Sequence, residues 1–78
     1  MNEHIINYKY LGTRVGLAYF IDEITEEWFN ALNAMDRKEA ELQHCGASVV
    51  YGYGLYRFHI YEENGKFFVS YARGDSCD

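Results

Sequence analysis

The amino-acid sequence predicts an α+β domain: an antiparallel sheet of four to five strands with one helix, continuous or broken, packed on one face, in the order β-β-α-β-β-β. Three observations carry this expectation. Two alternating apolar runs flank Asn64-Gly65, a pair that favours a two-residue hairpin because both residues reach positive φ at little cost. A second pair of alternating runs surrounds Gly12-Thr13. Between the hairpins, from Thr25 to Gly46, apolar residues recur at helical rather than strand spacing.

In chain order, His4 to Leu11 and Arg14 to Ile21 form a hairpin about Gly12-Thr13, whose Gly-X order suits a type II′ turn. That register pairs Tyr10 with Val15, Tyr8 with Leu17 and Ile6 with Tyr19 on an apolar face, leaving Asn7, Lys9, Gly16 and Ala18 on the other. Thr25 is placed to cap a helix, Glu26 and Glu27 set negative charge at the positive end of its dipole, and Gly46 is placed to end it. At about 100° per residue, Ile24, Trp28, Ala31, Met35 and Leu42 share a stripe, with Glu26, Asn30, Asn33, Arg37, Glu41 and His44 on the reverse. Asp36-Arg37-Lys38-Glu39 has capping-box form, so the alternative is two shorter helices with a break between Asn33 and Asp36. Phe29 falls roughly 140° from the centre of the stripe, either covered by a neighbouring segment or exposed as an anchor.

Ala47 to Tyr53 forms a further strand, with Gly52 and Gly54 marking a bend or bulge before Tyr56. In the last hairpin Glu63 lies opposite Lys66, Glu62 opposite Phe67, Ile60 opposite Val69 and Phe58 opposite Tyr71. One side therefore carries Tyr56, Phe58, Ile60, Phe67, Val69 and Tyr71, the core face. The other carries Arg57, His59, Tyr61, Phe68 and Ser70, a mixed surface to be solvated, covered by another chain or used for binding. Residues 1–73 form a single domain and 74–78 a flexible C-terminal tail. No proline blunts an edge strand, which makes a homodimer, edge to edge or face to face, one expected state.

With 78 residues the chain has a small core, since burying one large apolar side chain contributes only about 1.5 to 3 kcal/mol before entropy is subtracted. The 49% hydrophobic content argues against disorder, and eight tyrosines supply contact area with polar tips that tolerate half-exposure. A net charge of -5 disfavours direct nucleic-acid binding, which needs a basic patch, and favours a basic protein surface as partner. Met-Asn-Glu-His lacks a basic n-region and no apolar run approaches spanning length, so no membrane association and a cytoplasmic location are expected. Cys45 and Cys77 are expected as free thiols, with a bridge between them or between chains through Cys77 as the alternatives.

No catalytic, metal or cofactor signature emerges. His44, Cys45, His59, Asp75 and Cys77 are of ligating type but lack ligand spacing, and Cys45 at a helix C-terminus is far from the dipole end that activates thiolates. The chain is also too short to build both a core and an enclosed pocket. The expected partner-binding residues are Asp22, Glu23, Glu26, Glu27, Glu62 and Glu63 as an anionic surface, with Phe29, Tyr61 and Phe68 as aromatic anchors. The alternative ligand-binding set is Tyr51, Tyr53, Arg57 and His59.

Two resemblances bear on function. Tyr51-Gly-Tyr-Gly-Leu-Tyr-Arg-Phe58 resembles the central strand of the RNA recognition motif family, in which aromatic rings stack on bases: Gly52, Tyr53, Gly54 and Phe58 fit, while Tyr51, Leu55 and Tyr56 depart. In size, acidity and aromatic content the whole chain is similar to the small phage-encoded anti-CRISPR proteins, as a class and without a shared motif. That likeness implies a non-catalytic inhibitor acting in the host bacterial cytoplasm, whose acids meet Lys and Arg on a CRISPR effector complex and block its nucleic-acid-binding surface. An immunity protein or antitoxin against a basic toxin would use the same mechanism, and a single-stranded nucleic-acid or small-ligand binder would use the aromatic sheet face instead.

Overall fold

Asn64 and Gly65 both take positive φ, 56° and 80°, and the hairpin they close pairs Glu63 with Lys66, Glu62 with Phe67 and Ile60 with Val69, as the spacing predicts. In the computed structural model, which describes residues 3–74, this hairpin joins β3 (Leu55–Glu63) to β4 (Lys66–Gly74). A first hairpin joins β1 (Ile5–Arg14) to β2 (Leu17–Ile24), and β2 pairs with β4, giving a four-stranded antiparallel sheet in the order β1-β2-β4-β3. The architecture is α+β, with α1 (Glu26–Ala34) and α2 (Arg37–Cys45) between the hairpins. Gly74, expected to open the tail, instead ends β4, its N–H donating to Gly54 O at 3.0 Å; the rest of the proposed tail, with Asp75 and Cys77, lies outside the described residues.

One stated alternative is selected and three expectations are corrected. First, the helical span is two helices. Asp36 accepts a hydrogen bond from Glu39 N at 2.9 Å, capping α2 just as Thr25 caps α1 by accepting from Trp28 N at 3.1 Å. Met35, extended at ψ 160°, separates the two helices. Because the break resets the helical phase, Ala40 and His44, one turn apart, face the core, although a continuous helix would have put His44 in solvent.

Second, Ala47 to Tyr53 is not a strand. After Gly46 the chain continues as a π-helical turn, Ser48–Tyr53, closed by Gly54 N donating to Val49 O at 2.7 Å. A fifth strand would have to add to an edge, and the outer side of β3 is already occupied where Arg37 Nη2 donates to Phe58 O at 2.6 Å.

Third, the first hairpin turns at Val15-Gly16, both at positive φ (52° and 79°), and pairs Arg14 with Leu17, Tyr10 with Phe20 and Tyr8 with Asp22. Moving the turn exchanges the faces of β2. Ala18, Phe20, Asp22 and Ile24 point to the helix side, and Leu17, Tyr19 and Ile21 to the other. Fourth, β3 bulges between Tyr56 and His59, with Arg57 at φ 59°, so Tyr56 pairs with Ala72 and leaves the core face half-exposed.

The core lies between the helices and one sheet face, where Ile24, Leu32, Ala40, Phe58 and Val69 are buried and Trp28, Phe29, Ile60, Phe67 and Tyr71 pack against them. Among the described residues no helix packs on the opposite face.

Candidate interaction surface

The topology gathers charge encoded in three separate places. Glu23, next to last in β2, shares a row of the open face with Phe68 and Tyr61; Glu63, two rows further out, is on the same face, while Glu62, one row out and opposite Phe67, points to the helix side. Glu26 and Glu27 open α1 immediately after β2 ends, held there by the Thr25 cap and by Thr25 N donating to His4 O at 3.0 Å. Five carboxylates thus share one end of the sheet, with Lys66 across from Glu63 as a cation. Among the described residues none of the five has an ion pair.

Two residues of the expected partner-binding set are placed elsewhere. Asp22 is in the core, 1% exposed, because the shifted β1–β2 turn points it at the helices. Phe29 is covered by the β3–β4 hairpin, its ring 4.6 Å from that of Phe67, and so is not an exposed anchor.

Tyr61 and Phe68 lie on the face that no helix covers. His59, Tyr61 and Phe68 form a continuous stack with centroid separations of 5.2 and 5.3 Å and interplanar angles of 17° and 24°. Burial, followed by the charge of Glu63, raises the pKa of the Tyr61 phenol, which places Glu63 beside the ladder. Next to it, Leu11, Tyr19, Ile21, Arg57 and Ser70 line an open depression of about 280 Å³. The β3 bulge, and another in β1 between Tyr10 and Gly12, sit at the same level on opposite edges of the sheet.

The alternative ligand-binding set is divided. Arg57 and His59 border this face, whereas Tyr51 and Tyr53 stand on the π-helical turn, 68% and 55% exposed, with Lys38 Nζ 5.3 Å from the Tyr51 ring centre. The Gly-Tyr-Gly segment is therefore not a sheet strand displaying bases' stacking partners, as the RNA recognition motif likeness implied.

A buried polar relay is the feature that the residue pattern did not reveal. Trp28 Nε1 donates to His44 Nδ1 at 2.9 Å, which assigns the Nε2–H tautomer, and Nε2 donates to Asp22 Oδ2 at 2.8 Å. His44 and Asp22 side chains are 0% and 1% exposed. The other Asp22 oxygen makes no hydrogen bond among the described residues, although the Tyr71 phenol is near enough to feel its charge: burial first, then Asp22, raise the Tyr71 pKa. Burial, then Asp22 and Glu41, push the Cys45 thiol up to about 12. Both imidazole nitrogens are engaged, so His44 has no lone pair to offer a substrate, and its role here is to tie α2 to α1 and to β2. The only sequence signal for the relay was the i, i+4 pair Ala40 and His44, visible once α2 is phased from Asp36.

Among the described residues, no group of three or more His, Cys, Asp or Glu is arranged to hold a metal ion, and no helix is long and apolar enough to cross a membrane. Set against protein-family models, curated proteins and solved structures, the chain matches none.

Proposed function

We propose that the protein binds a basic surface of another protein through its acidic end and acts by occupying it, without a catalytic step. The observation supporting this is that Glu23 and Glu63 share the open face with the Tyr61–Phe68 ladder, while Glu26, Glu27 and Glu62 stand at the same end of the sheet on its helix side. Unpaired carboxylates complement Lys and Arg and speed encounter, while the adjacent rings supply apolar contact that charge alone lacks. A nucleic-acid-binding groove is a surface of this chemistry. The proposal is therefore an inhibitor of the anti-CRISPR kind, occupying the nucleic-acid-binding surface of an effector complex in the bacterial cytoplasm.

The test is capture of a CRISPR effector from lysate by the tagged protein, with and without nuclease, followed by affinity measurement against the purified effector. Capture should survive nuclease. Reversing Glu26, Glu27, Glu62 and Glu63 to Lys together should weaken binding by at least about tenfold, and added salt should weaken the wild type more than the variant. Undiminished affinity of the reversed variant would remove the acidic end from the reading.

A second reading, a single-stranded nucleic acid or small ligand on the open face, draws on Arg57 bordering the His59–Tyr61–Phe68 stack. It predicts oligonucleotide binding that Tyr61→Ala weakens by about 1 to 3 kcal/mol. Failure of the wild type to bind any oligonucleotide would end it.

A further inference from the structure

The outer edge of β3 is blocked over part of its length and free over the rest. Arg37 Nη2 donates to Phe58 O at 2.6 Å, filling the place that a fifth strand's donor would take at that row. Beyond it, the register fixes which backbone groups point outward. Glu63 and Lys66 close a two-residue turn and so exchange hydrogen bonds with each other, and the alternation of an antiparallel ladder makes Tyr61 and His59 face β4 in the same way. The N–H and C=O of Ile60 and of Glu62 therefore point away from the sheet, the direction in which Phe58 O meets Arg37. β3 is an edge strand, and among the described residues nothing outside the sheet hydrogen-bonds these groups.

We propose that this free stretch takes an extended, basic segment of the partner protein as a fifth, antiparallel strand running opposite Ile60 to Glu63. The inference rests on the acidic-end reading and adds to it the mode of contact. Charge selects the occupant. Glu62 and Glu63 end the free stretch on opposite faces of the sheet, both exposed and without an ion pair among the described residues. The other edge has the opposite sign, since β1 carries Lys9 and Arg14, no carboxylate, and two bulges.

Shape selects one side chain of the segment. On the helix side, where the junction of α1 and α2 meets β3, Leu32, Met35, Ala40, Phe58 and Ile60 line an open groove of about 310 Å³ with Arg37. A residue opposite Ile60 projects to the same face as Ile60, so an apolar side chain there enters this groove. The residue opposite Tyr61 stands on the open face, and those opposite Glu62 and Glu63 are Lys or Arg, one on each face. Main-chain bonds to Ile60 and Glu62 supply affinity for any extended segment, while the groove and the two acids supply selectivity. Arg37 stops the added strand at the Phe58 row.

The probe is a capped peptide that, read antiparallel to β3, sets two lysines opposite Glu63 and Glu62, threonine opposite Tyr61 and isoleucine opposite Ile60. Titrated into the isotope-labelled protein, it should shift amide NMR signals at Ile60–Glu63 and in the groove at Leu32 and Met35. At saturation, exchange of the Ile60 and Glu62 N–H groups should slow by about tenfold. N-methylation of the peptide isoleucine, whose N–H donates to Ile60 O, should weaken binding by at least about tenfold, whereas N-methylation of the threonine, whose N–H points away, should change it by less than about twofold. No binding, shifts centred on the Tyr61–Phe68 stack, or equal losses from the two methylations would each overturn the proposal. Against the captured effector, Glu62→Gln and Glu62→Pro lose the same charge, but only proline removes the outward N–H, at a position where an edge strand accepts it. The proline variant should bind at least about tenfold more weakly than the glutamine variant. Equal affinities of these two, with binding still sensitive to the fourfold charge reversal, would sink strand addition and leave the acidic-end reading standing. Insensitivity to charge reversal would fall on the acidic-end reading itself. Should Glu62→Pro fail to fold, the methylated peptides decide alone.

Discussion

His44 holds three elements together with two hydrogen bonds, and its environment makes its replacement costly. Removing the imidazole leaves Asp22 buried without its donor and the Trp28 indole without its acceptor. Leaving a buried polar group without its hydrogen-bond partner typically costs about 1 to 3 kcal/mol, and more for a carboxylate, a large fraction of a small domain's stability. We expect His44→Ala to be mostly unfolded or to show a greatly lowered urea midpoint, and Asp22→Asn, which keeps an acceptor for Nε2–H, to be milder. Equal losses in the two variants would show that the pair does not act through this hydrogen bond. Cys45 makes a second prediction. Its folded pKa is raised from 9.0 to about 12, so the unfolded chain loses the proton first as pH rises. Its contribution is complete below about pH 9 and is lost as pH climbs toward 12, with the raised Tyr71 phenol acting in the same direction. The urea midpoint should fall between pH 8 and 11, on the order of the interval that separates those pKa values, and fall less in Cys45→Ala. A flat midpoint would show that the thiol is not desolvated.

At the scale of elements, the turns and caps set the geometry. Val15 stands at φ 52° on the tip of the first hairpin, 98% exposed, where a β-branched residue is strained and makes no compensating contact with a core. Val15→Asn before Gly16 places the favoured residue type in this turn, and we expect a gain of about 1 kcal/mol in urea denaturation. No gain would mean that the turn relaxes without strain. At the start of α2, Asp36→Ala removes the bond to Glu39 N and should cost about 1 kcal/mol. Since α2 carries His44, the loss should be accompanied by a change in the Trp28 fluorescence that the cap itself does not touch. Gly74 also limits the fold: a Cβ there would lie 2.2 Å from Tyr53 O, so only glycine lets the π-helical turn close on β4.

Across the whole molecule, charge is segregated. The end that collects Glu23, Glu26, Glu27, Glu62 and Glu63 in a chain of net charge -5 concentrates like charge without ion pairs among the described residues. Such clustering opposes folding while favouring a basic partner. Salt should therefore raise the melting temperature of the free protein, and the combined substitutions Glu26→Gln and Glu62→Gln should raise it further at low salt while weakening partner binding. A melting temperature indifferent to both would show that these carboxylates do not repel one another.

What could be read directly from residues is what short-range geometry controls. Asn64-Gly65 determined the register of the last hairpin from Glu63 through His59, because a two-residue turn leaves one in-register pairing. Thr25, Asp36 and Gly46 located the helix ends, and Asp36-Arg37-Lys38-Glu39 marked the break. The sequence by itself therefore determined an α+β domain with an antiparallel sheet, and the presence of an aromatic, non-core side on the last hairpin. Only the tertiary structure decided the rest. Packing β2 against β4 selected Val15-Gly16 over Gly12-Thr13 as the turn, which took Asp22 out of the acidic surface and into the core beside His44. Arg37 on the edge of β3 left Ala47 to Tyr53 nothing to pair with. The meeting of five carboxylates at one sheet end likewise follows from strand order, because the energy that chooses among registers and edges comes from side chains distant in sequence, which no local pattern contains.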